Sequence, residues 1–289
     1  MDLTDPAIQL LLLEAGLQFL AVLFAGVILG LFASVYLKKR DEVTRVAGVI
    51  LEKRVNSHQE ILAFFEDATY TLQVPSDRAS PLHELIQSYG LEAPWGANLQ
   101  YGEIFESVEK FHGFQRQLEK LISQHKLWLD AKVGFHLNLI LAYFSWINMA
   151  LVTLQKIELP GETPLKIDAY QQAAEKLLFI QGIVLDAEFK GLVAELETLM
   201  VDSIYHLDLR RSRFSLVRNG FWNRDSRKLL KILSNKTLLG EIREVLMAIS
   251  VGLVAAHQGR NLAPDEVDAV VDGLGARHHL PHSGVFRAS

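Results

Sequence analysis

Apolar positions recur at three- and four-residue steps along most of the chain, and one run breaks that pattern by carrying no charge at all. Ala15–Leu37 holds twenty-three residues without a formal charge and is followed at once by Lys38, Lys39 and Arg40. At about 1.5 Å rise per residue such a helix is about 34 Å long, enough to cross a hydrocarbon core of about 30 Å. Residues 1–40 are therefore expected to form an N-terminal transmembrane anchor. Asp5-Pro6 supplies an N-cap oxygen followed by proline at the first helical position, where its missing N–H costs nothing. The run is too long for the apolar region of a secretory signal peptide, and its flanking charges are reversed, so it is expected to stay attached. Asp2, Asp5 and Glu14 precede it and the basic triplet follows, which places the N-terminus outside and the remainder in the cytoplasm. Glu14 is expected at the outer interface. Gly26, Gly30 and Ser34 fall on one face at four-residue spacing, and small residues so placed let two helices approach closely. This face is the expected site of self-association.

Beyond the anchor the pattern predicts an all-α protein. In residues 41–74, Val43, Val46, Ala47, Ile50, Leu51, Ile61, Leu62 and Phe65 mark a juxtamembrane amphipathic helix continuing the anchor, whose face is expected to pack on its own domain rather than pair with a second copy as a stalk. Pro75 and Pro81 interrupt it, and residues 75–102 are expected to be a loop-rich excursion with one short helix near Leu82–Tyr89. A helical bundle is expected over 103–275 and a flexible tail over 276–289. The bundle begins with a helix over 103–131 and continues with one from Ala131 to Lys156. Val133–Leu154 carries no formal charge and is long enough to span a second time. His136, Asn138, Ser145 and Asn148 would then need partners in lipid, and the most basic part of the chain would lie outside. The segment is read instead as the buried central helix. Further helices are expected over Lys166–Leu209, Ser226–Leu233, Leu238–His257 and Pro264–Leu274, and no alternating strand pattern competes with them.

Composition adds one contrast. Cysteine is absent, which excludes disulfides, iron–sulfur clusters and thiolate chemistry. Between Leu209 and Lys236 the chain carries nine basic residues against one acid, a net +8 in a chain of net charge −5, so the rest sums to −13. The basic residues are Arg210, Arg211, Arg213, Arg218, Arg224, Arg227, Lys228, Lys231 and Lys236, interleaved with Phe214, Phe221 and Trp222. Arginine grips phosphates and carboxylates bidentately, and neighbouring aromatic rings stack on bases or sit in a lipid interface. The basic residues other than Lys236 are the candidate anion-binding set, facing anionic lipid, nucleic acid or an acidic protein. The opposing reading is a charge run neutralised by acidic surfaces of its own bundle.

Catalytic signatures are missing from the sequence. It contains no GxxxxGK[ST], no GxGxxG after a strand, no HExxH and no GxSxG. Asp202 and His206 stand four apart, but the paired ExxH pattern of di-iron bundles is lacking, so no metal site is assigned. The tail histidines His278, His279 and His282 lack a supporting shell, and no ATP-binding glycine boxes follow His112. No cofactor is expected. The sequence thus describes a membrane-anchored helical interaction protein, a scaffold, sensor or effector. The competing readings are a membrane-perturbing toxin or defence effector that inserts Val133–Leu154, and a hydrolase whose site no motif reveals.

Overall fold

The computed structural model describes residues 6–91, 99–159, 165–205 and 218–278. The chain divides into two compact units, residues 1–53 and residues 54–289.

The first unit is helical. Helix α1 is assigned continuously over Pro6–Ala68, and its part up to Lys53 belongs to this unit. No proline follows Pro6 within α1, and Ser34 and Thr44 return their hydroxyls to the carbonyls of Leu31 and Arg40, at 3.0 and 2.9 Å. Neither residue therefore draws the backbone out of the helix. Phe24, Leu29, Phe32, Val35 and Tyr36 are each exposed by more than three-fifths. Gly26, Gly30 and Ser34 share that open surface, and a Cβ at either glycine would meet nothing within 4 Å.

The second unit is a helical bundle with a minimal sheet. After α1 come β1 (Thr71–Gln73), α2 (Ser76–Ser88), β2 (Gln100–Gly102), a 3-10 turn (Glu103–Phe105), α3 (Val108–His125) and α4 (Ala131–Leu154). They are followed by α5 (Ile167–Tyr205), α6 (Arg218–Lys236), α7 (Leu238–Glu241), α8 (Arg243–His257) and α9 (Pro264–His278). The predominantly helical fold agrees with the periodicity. The two strands are a correction to it: β1 and β2 pair antiparallel, Leu72 opposite Tyr101, across the excursion that separates them. Strands of three residues are too short to display an alternation. Residues 103–131 are likewise not one helix. Ser107 adopts φ −148°, ψ 156° and accepts the Lys110 N–H with its hydroxyl, so the chain restarts there as α3 with an N-cap. The short helix near Leu82 begins earlier than expected, at Ser76, directly after Pro75.

Helix α4 packs against α3, α5, α6 and α8. It is also the helix that, among the described residues, is long and apolar enough to cross a membrane, with 44% of that window buried in the protein. Its polar side chains find partners inside the bundle. His136 Nε2 donates to the Leu192 carbonyl at 2.7 Å, Asn148 Oδ1 lies 2.9 Å from His112 Nε2, and Asn138 and Ser145 bond back to Gly134 and Leu141. The core centres on phenylalanines. Phe144 lies 4.8 Å from Phe114 and 5.2 Å from Phe189 between ring centroids, in the tilted and edge-on geometries that aromatic quadrupoles prefer.

The end of α1 enters this unit with a mixed face. Ile61 and Phe65 are fully buried, as the apolar pattern implies, and Arg54, Ser57 and His58 are buried beside them. Arg54 donates to the carbonyls of Ser203 at 2.8 Å and Trp128 at 3.2 Å, and Ser57 Oγ lies 3.0 Å from His125 Nδ1. This polar turn does not register as part of an apolar face, yet it ties three separate helical regions together.

Candidate anion-binding site

Of the basic stretch, Arg210, Arg211 and Arg213 lie outside the described residues, and for Arg218 and Arg224 only the helical backbone is described. The remaining members sit on α6, a helix expected to start at Ser226 that begins instead at Arg218. Arg227, Lys228, Lys231 and Lys236 are all exposed. Two stripes result from four-residue spacing on a helix. Arg227 and Lys231 form one, and Lys228, Ile232 and Lys236 form the other.

The second stripe borders a groove of about 800 Å3 between α4, α5 and α6. Lys228 Nζ lies 4.8 Å from the centroid of the Phe135 ring on α4, a cation–π contact that holds the ammonium at the rim. Lys132 and Lys236 complete a set of three lysines around an apolar floor that includes Leu139 and Leu192. Two carboxylates share the groove. Glu188 is fully engaged: it accepts the backbone N–H groups of Leu238 at 2.5 Å and Leu239 at 3.2 Å and the Tyr143 hydroxyl at 2.9 Å. Its charge is spent on fixing the start of α7 and the base of the site. Glu195 is exposed, with its oxygen 3.9 Å from His136 Nδ1.

No salt bridge within 4.0 Å engages Arg227, Lys228, Lys231 or Lys236 among the described residues. Among the described residues these four cations therefore have no close carboxylate partner. Lys132 and Phe135 belong to the site but carry no signal in the sequence, since they lie on a different helix and only the packing of α6 on α4 brings them to Lys228.

Other candidates resolve into structural roles. His112 is held by Asn148, and Glu188 by α7. His206, the partner proposed for Asp202, lies outside the described residues, as do His279 and His282. Among the described residues no cluster of three or more metal-ligating side chains occurs. No protein-family model, no curated protein and no solved structure matches this chain.

Proposed function

We propose that this chain is a membrane-anchored helical interaction protein, with the start of α1 as its single span, that binds an anionic partner at the cytoplasmic face through α6. The observation that carries the reading is that Arg227, Lys228, Lys231 and Lys236, on a helix of a net acidic protein, make no salt bridge among the described residues. Exposed cations on one helix of an acidic chain create a local positive field that attracts an anionic partner. The exposed apolar side chains from Phe24 to Leu37, ending at Lys38, Lys39 and Arg40, support an anchor that brings α6 to a negatively charged leaflet. Anionic lipid is accordingly the first partner, ahead of nucleic acid and acidic protein.

The fragment from Asp41 to Ser289 should sediment with acidic vesicles, not with neutral ones, and release as salt rises. Each basic residue near such a surface contributes about 1 kcal/mol, so Arg227→Gln, Lys228→Gln and Lys231→Gln together should weaken binding by about two orders of magnitude. Oligonucleotides share the salt dependence, so competition between acidic vesicles and oligonucleotides separates the two partners. Unchanged sedimentation of the triple variant would remove α6 as the binding surface.

A second reading draws on α4, which is apolar and long enough to span and is less than half buried over that window. In that reading the protein perturbs membranes by releasing α4. Dye leakage from vesicles on addition of the protein, abolished by Phe144→Asp, would favour it; intact vesicles at saturating protein would exclude it.

A further inference from the structure

A second concave site lies away from α6, between the C-terminal half of α4 and the start of α8. It is a pocket of about 230 Å3 whose apolar walls include Trp146, Met149, Leu246 and Met247. Two cations, Arg243 and Lys156, stand at it, and no carboxylate lines it. Arg243 Cζ is 5.6 Å from the centroid of the Trp146 ring. A cation–π contact of this kind keeps the guanidinium beside the ring while its N–H groups remain available for two parallel hydrogen bonds.

Those N–H groups are unused. Among the described residues no hydrogen bond and no ion pair reaches the Arg243 guanidinium, although the side chain is only partly exposed. Burial lowers its pKa from the ordinary value, opposed by the neighbouring Glu244. A partly desolvated guanidinium without hydrogen-bond acceptors is costly, and a carboxylate laid against it would relieve that cost with two charge-assisted hydrogen bonds. The walls set the rest of the ligand. A cavity of about 150 Å3 holds benzene, so this one admits an aromatic ring with a short chain. The two methionines, unbranched and polarisable, adapt to a flat ring and make favourable sulfur–aromatic contacts.

We infer that the Trp146, Met149, Met247 and Arg243 pocket is a binding site for a small aromatic carboxylate, its ring against the methionines and its carboxylate on Arg243. The site depends on neither the anchor nor the basic stretch. The test uses the full chain in lipid nanodiscs, titrated calorimetrically with 3-phenylpropanoate and with 3-phenylpropanol, empty nanodiscs being subtracted. The two probes share a body and differ in charge. The acid should bind saturably at one site, about tenfold or more tighter than the alcohol, the margin of a charge-assisted hydrogen bond. Arg243→Gln should bring the acid down to the level of the alcohol, and Met247→Trp should fill the pocket and abolish both. Equal binding of the two probes, acid binding unaffected by Arg243→Gln, or no saturable binding would each overturn the inference. The comparison of acid and alcohol on the unaltered chain needs no variant, so it stands even if Arg243→Gln fails to fold.

Discussion

His58 is 2% exposed, and its ring is held neutral: burial first and the Arg54 guanidinium second lower its pKa from 6.5 to about 4, against a smaller opposing pull from Asp130. Well above pH 6.5 the imidazole is neutral whether the chain is folded or not, and it makes no difference to stability. As the pH falls below 6.5 the unfolded chain takes up a proton that the folded chain refuses, so stability declines down to about pH 4 and then levels. Denaturant midpoints across this window should fall with pH, and His58→Gln should flatten that part of the slope. Gly182 gives a second single-residue test. It lies in the interior of α5, and a Cβ there would stand 2.5 Å from Phe105 Cβ and 2.8 Å from Cγ, the rigid root of a fully buried ring. Gly182→Ala should therefore cost about 1–3 kcal/mol by overpacking, despite the better helix propensity of alanine. Unchanged unfolding would mean that the 3-10 turn bearing Phe105 moves freely. Neither constraint is legible in the sequence, because the periodicity that marks α5 and α1 as helices does not report which distant residue each one meets.

At the scale of elements, α1 and α4 both carry uncharged runs long enough for a bilayer, and their surroundings differ. The apolar side chains of α1 from Phe24 to Leu37 are exposed, whereas α4 buries Val133, Leu137, Ile140, Tyr143, Phe144, Ile147 and Leu151 against its neighbours. The polar residues that argued against α4 as a span are those that bond to Leu192, His112 and their own helix. If the Gly26, Gly30 and Ser34 face joins two copies in the bilayer, Gly26→Leu with Gly30→Leu would hold the backbones apart while remaining apolar enough to insert. Cross-linking in membranes should then fall sharply with anchoring intact. Retained cross-linking would assign the contact to another face. The elements most poorly legible in the sequence are β1 and β2, whose three-residue partnership depends on the closing of the segment between them rather than on any local pattern.

For the molecule as a whole, the proposed orientation rests on the acids that precede the first run and the basic triplet after it. A reporter active only in the cytoplasm should be active when fused after Ser289 and silent when fused after Leu3. Replacing Lys38, Lys39 and Arg40 by neutral residues should weaken the bias. An external Ser289 would overturn both the single span and the place of α4 inside the bundle. The same asymmetry of charge frames the proposed binding, since a net +8 stretch within a chain of −5 is a property of the whole sequence, while its use depends on which cations remain unpaired after folding.

Sequence alone determined what is local: the uncharged run and its flanks, the helical period of nearly every element, the absence of cysteine and of catalytic motifs, and the basic stretch as a unit. Helical hydrogen bonds close within four residues, and hydropathy and charge are carried by the residues themselves, so both survive in a linear reading. Tertiary structure decided what depends on neighbours distant in the chain. It buried Arg54 against the Ser203 and Trp128 carbonyls, set Lys228 over Phe135 and brought Arg243 to the face of Trp146. Each of those pairings joins residues from separate elements, and their chemistry arises only where packing removes water and holds a charge beside a ring or a carbonyl.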